Sequence, residues 1–67
     1  MTVLKTIEIM SESNSSWEDA VQNVIKEASK SVDEIQSIWV KDQTATVRDG
    51  KIDSYRVNCK VTFKVKS

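Results

Sequence analysis

Histidine and proline are missing from this chain, glycine and cysteine occur once each, and ten acidic residues cancel ten basic ones. Each scarcity excludes something. Without histidine the chain lacks the commonest general base and transition-metal ligand. Catalysis would have to rest on carboxylates, lysines or Tyr55, and no dyad or triad spacing joins them, so the chain does not read as an enzyme. Cys59 has no partner for an intramolecular disulfide, and nothing demands an oxidising compartment. Its place among alternating apolar positions makes it a small buried hydrophobe. A balanced charge provides no global field toward nucleic acid or acidic membranes. No apolar run approaches a membrane span, and the N-terminal stretch lacks a signal-peptide core. The expectation is a cytoplasmic protein with no nucleic-acid or membrane partner.

What is present is patterning. From Tyr55 to Val65 every odd position is apolar or aromatic: Tyr55, Val57, Cys59, Val61, Phe63 and Val65. The even positions Arg56, Asn58, Lys60, Thr62 and Lys64 are polar or charged. That alternation is a strand with one open face, and Asp49-Gly50 upstream is a hairpin turn. Residues 2–10 read as a first strand, with Val3, Ile7 and Ile9 in one phase and Lys5 as the exception. Residues 11–16 form a polar loop rich in capping residues. Ser15 with Glu18, or Ser16 with Asp19, has the spacing of a capping box. Trp17, Ala20, Val21, Val24, Ile25 and Ala28 then repeat at three and four residues, predicting one amphipathic helix that ends near Ser29 or Ser31. A second strand spans about 35–47. Its apolar phase changes between Val40 and Ala45, which predicts a bulge near Asp42 to Thr44 or burial on both sides.

The 67 residues thus form one domain, residues 1–67, of α+β class. The order is β-α-β-β, with a three-stranded antiparallel sheet of order 1-3-2 packed on one helix. Chains this short bury only roughly 60% of their unfolded surface. With one helix to cover the sheet, burial is expected to finish in a homo-oligomer.

Three features offer chemistry. Trp39 lies in the phase opposite Ile38 and Val40, so it points away from the helix. It is an interface residue or a stacking platform for a planar ligand. Arg56, Lys60 and Lys64 share the open face of the last strand, either solvated beside partners such as Glu8 or arranged for phosphate. The pairs Glu18-Asp19 and Asp33-Glu34 offer oxygen ligands to a hard cation, or are helix-end and loop charges. Trp17, opening the apolar stripe, reads as a packing anchor.

Taken together, Ser16-Trp17-Glu18-Asp19-Ala20, Ser31-Val32-Asp33-Glu34-Ile35, Asp49-Gly50-Lys51-Ile52, Tyr55-Arg56-Val57 and Lys60-Val61-Thr62-Phe63-Lys64-Val65 resemble the dodecin family. The resemblance covers nearly the whole chain. It implies a non-enzymatic homododecamer that stores a flavin (FMN, riboflavin or FAD) or a related nucleotide at subunit interfaces. In flavin-binding members a tryptophan near the start of the second strand stacks on the ring. Here that position is Ser37, and Trp39 lies about 7 Å further along the same face. Those members also read the ring edge with a third-strand glutamine, where this chain has Arg56. Arginine donates hydrogen bonds but cannot accept them. Both departures resemble a subgroup that includes a calcium-binding dodecin. The alternative implied is a dodecin-like shell that binds calcium, or coenzyme A through Lys60 and Lys64, with Trp39 packing between subunits. No calcium ligands are assigned by the resemblance.

Overall fold

The computed structural model describes residues 2–65. Strand β1 spans Val3–Ser13, helix α1 Trp17–Ala28, strand β2 Ile35–Arg48 and strand β3 Lys51–Val65. The sheet is antiparallel with order β1-β3-β2, as the tight turn and the helical crossover predict. β3 is central, pairing with β1 from Val3↔Val65 to Ser13↔Tyr55 and with β2 from Ile35↔Phe63 to Arg48↔Lys51.

The odd-numbered side chains of β3 build the core. Val57, Cys59 and Val61 are fully buried against Ala20, Val24 and Ala28, which lie one helical turn apart along α1. These are small residues, so the helix can lie close to the sheet. Ile7, Ile9, Val21, Ile35, Ile38 and Val40 pack around them. Cys59 is free and buried, and desolvation pushes its thiol pKa up.

Local details differ from the sequence expectation. β1 continues through Ser11, Glu12 and Ser13, which pair with Val57, Arg56 and Tyr55, where a polar loop was expected. Cross-strand partners override the loop-like composition: Glu12 meets Arg56, and the buried Ser13 becomes a hub. Its hydroxyl donates to Asp19 Oδ2 at 2.6 Å and accepts the Ser15 N–H at 2.9 Å. The capping box is therefore half-formed. Ser16 is the N-cap and accepts the Asp19 N–H at 2.9 Å, but the Asp19 carboxylate turns to Ser13. In β2 the register shifts between Val40 and Asp42, so Lys41 is the extra residue, just before the expected stretch. Further irregularities fall between Ile35 and Ser37 and between Thr46 and Val47.

Asp49 (φ 52°) and Gly50 (φ 74°) both occupy the left-handed region that a two-residue hairpin turn of matching twist requires. Beyond Tyr55, β2 and β3 continue past β1 as a two-stranded ribbon, giving the molecule extents of 52 × 19 × 13 Å. No described helix is long and apolar enough to cross a membrane.

Candidate functional site

The face of the sheet away from α1 is organised in rungs, each set by register. Thr6, Thr62 and Ser37 form one rung; Glu8, Lys60 and Trp39 the next. Met10, Asn58 and Asp42 follow, then Glu12, Arg56 and Thr44. Trp39 is 60% exposed, a large apolar surface on a face that also carries the exposed Leu4 and Met10 among polar residues. The Lys60 ammonium lies 5.9 Å from the centre of its ring, within reach of a cation–π attraction.

Beginning on the next rung, a cleft of about 310 Å³ is lined by Met10, Asp42, Gln43, Thr44, Arg56 and Asn58. The cleft wall is braced from behind. The Trp17 indole N–H donates to the Thr44 carbonyl at 3.0 Å, and its ring meets Tyr55 edge-on, with centroids 4.8 Å apart. Trp17 is thus the packing anchor its position predicts, and it ties the start of α1 to β2 just past the bulge.

The basic stripe does not act as one unit. Arg56 forms an ion pair with Glu12, its register partner on β1. Lys60 sits over Trp39, and Lys64 is exposed beyond the Thr62 rung. Glu8 is engaged by Lys41 rather than by the stripe: its Oε2 accepts from Asn58 Nδ2 at 2.9 Å and from Lys41 Nζ at 3.3 Å. The Asn58 hydrogen bond and then Lys41 hold the Glu8 carboxyl below its usual pKa. Asn58 Oδ1 is buried and has no hydrogen-bond partner among the described residues.

Of the residues singled out in the sequence, Trp39, Lys60 and Ser37 therefore fall on adjacent rungs. Arg56 belongs to the cleft, and Lys64 stands apart. Met10, Asp42, Thr44, Asn58 and Glu12 were not anticipated. The signal for Asn58 was its even position between Arg56 and Lys60. That for Glu12 was hidden because the strand containing it read as a loop. Glu18 and Asp19 lie in the first turn of α1, and Asp33 and Glu34 in the connection to β2. Among the described residues no three His, Cys, Asp or Glu side chains gather closely enough to hold a metal ion.

The comparisons with known proteins say to which kind of protein this sheet-and-helix arrangement belongs. The Dodecin family model matches residues 3–66, and the chain belongs to that family. It is 35% identical to the calcium dodecin of Mycobacterium tuberculosis over 66 residues, covering 98% of this chain and 93% of that one. The crystal structure of that calcium-chelating antigen matches with a TM-score of 0.80 and 38% identity, over 96% of this chain and 91% of the other. An arginine-to-alanine mutant of Thermus thermophilus dodecin superposes with a TM-score of 0.93 at 24% identity, covering both chains fully. The dodecin of Streptomyces coelicolor gives 0.90 at 20% identity, over 98% and 94% of the two chains. The last two likenesses carry the fold alone.

Proposed function

We propose that the chain is a subunit of a non-enzymatic homododecamer that sequesters a flavin or related nucleotide where the open sheet faces of neighbouring subunits meet. The observation that carries this reading is Trp39. An indole 60% exposed on the open sheet face offers a flat ring to stack against, with the Lys60 ammonium 5.9 Å from its centre. The cleft that begins one rung away supplies what a planar heterocycle also needs: N–H donors from Arg56, polar groups from Asn58 and Thr44, and an apolar contact from Met10. With Trp39 displaced from the family's stacking position, the ring sits further along the strand, nearer the cleft.

The test is direct. Purified protein is expected to carry a flavin absorbance band or to quench added riboflavin and FMN. Stacking of a base on an aromatic side chain is worth about 1–3 kcal/mol, so Trp39→Ala should weaken flavin binding about tenfold or more. Protein that is colourless as purified and leaves flavin fluorescence untouched overturns the reading.

A second reading is favoured by the mycobacterial relative, whose name includes calcium. A calcium site here would draw carboxylates such as Glu8, Glu12 and Asp42 from more than one subunit, or backbone oxygens. Calorimetric titration separates the readings. Saturable heat with calcium, and none with flavins, would assign the shell to the ion. A response to coenzyme A alone, lost in Lys60→Ala and Lys64→Ala, would assign it to that nucleotide.

A further inference from the structure

Glu12 and Arg56 are direct register partners across β1 and β3. Arg56 Nε donates to Glu12 Oε1 at 2.8 Å, and Nη2 donates to the same oxygen. The guanidinium also forms part of the cleft wall. It makes no other hydrogen bond among the described residues, so three of its five N–H groups are available for a ligand. An unpaired arginine on a sheet face would be a mobile positive charge, suited to gripping phosphate with both forks of its guanidinium. Glu12 changes both properties, cancelling the charge and holding the long side chain in one place. A carboxylate of the cleft wall itself, Asp42, further disfavours an anion there. The nearby cations face other groups, Lys41 of the bulge pairing with Glu8 and Lys60 lying over Trp39.

We infer that Glu12 sets the class of ligand the cleft takes. By pinning and neutralising Arg56, it offers directed N–H donors to a neutral ring carbonyl and withholds the guanidinium from phosphate. The inference rests on the flavin-storage reading and sharpens it. The ring enters the cleft, and any phosphate tail remains outside.

The experiment titrates riboflavin and FMN against the wild-type assembly and Glu12→Gln, with inorganic pyrophosphate as competitor. The wild type should bind the two flavins with similar affinity, and pyrophosphate should not displace them. In Glu12→Gln, riboflavin should weaken about tenfold through loss of the positioned donors. FMN should become the preferred flavin, and pyrophosphate should compete. Glu12→Asp, which keeps the charge, should retain the wild-type order of preference and guards against a folding defect in the first variant. A simple structural defect would weaken both flavins together without any gain for pyrophosphate, and that result overturns the inference. So does pyrophosphate displacing riboflavin from the wild type, or flavin affinities unchanged in Glu12→Gln. Wild-type protein that binds neither flavin overturns the storage reading and this inference with it. Flavin binding indifferent to Glu12 overturns only the inference.

Discussion

Glu8 shows how single residues hold the open face together. Its carboxylate is shared by Asn58 of β3 and Lys41 of β2, so one side chain on β1 spans the full width of the sheet. Lys41 reaches it from the bulge, where it is the unpaired extra residue. Because the folded Glu8 lies below its ordinary pKa of 4.5, the fold favours its ionised form. Its stabilising contribution is complete above pH 4.5 and is lost as pH falls through the lower folded value. Glu8→Gln should therefore lower stability slightly at neutral pH, converge with wild type in acid and so flatten the decline on the acid side, followed by tryptophan fluorescence. An acid limb identical to wild type would remove Glu8 from this role. The pair is well exposed, so added salt should shrink the difference.

At the scale of elements, the turn between β2 and β3 tests cleanly because only backbone torsion is at stake. A Cβ added at Gly50 would meet nothing within 4 Å, yet φ there is +74°. Gly50→Ala should thus cost about 1 kcal/mol from left-handed strain alone, read as a lower denaturant midpoint with an unchanged slope. An unshifted midpoint would mean that the turn relaxes without cost. The same hairpin shows what was legible beforehand. Asp49-Gly50 announced the turn, the alternation from Tyr55 announced the central strand, and the three-and-four spacing from Trp17 announced the helix. Each is a local signal with a fixed period. What escaped depends on long-range partners. Ser11-Glu12-Ser13 reads as loop by composition, and becomes strand because Glu12 finds Arg56 and Ser13 finds Asp19. The bulge was visible as a phase change, but not its assignment to Lys41, since only pairing with β3 decides which residue is left over. The cleft was invisible for the same reason. Met10, Asp42 and Asn58 lie far apart in sequence and become neighbours only through register.

For the whole molecule, the balance of buried and exposed surface argues for assembly. The fully buried core is six side chains no larger than valine. Meanwhile Val3, Leu4, Met10, Trp39, Val47 and Ile52 are all about half exposed or more. Burying an aliphatic or aromatic side chain is worth about 1.5–3 kcal/mol, whereas ordering each residue costs about 1–2 kcal/mol. A chain of this length has little margin for leaving so many apolar groups in water. The positions of these groups are also informative. Val47 and Ile52 are register partners on the ribbon that projects past β1, where the two strands have no third strand or helix beside them. A two-stranded ribbon is marginal by itself in water. The expected outcome is therefore a homo-oligomer, with the proposed dodecamer as the species tested by native mass spectrometry and light scattering, persisting on dilution to micromolar chain concentration. Charging both ribbon positions, Val47→Asp with Ile52→Asp, should disperse it into smaller species while the Trp17–Tyr55 contact, on the far side of Thr44, reports retained local structure. Wild-type protein that is monomeric at micromolar concentration yet unfolds cooperatively would show that this small core suffices. The open face would then remain in water, and a flavin site built where such faces meet would have no second wall.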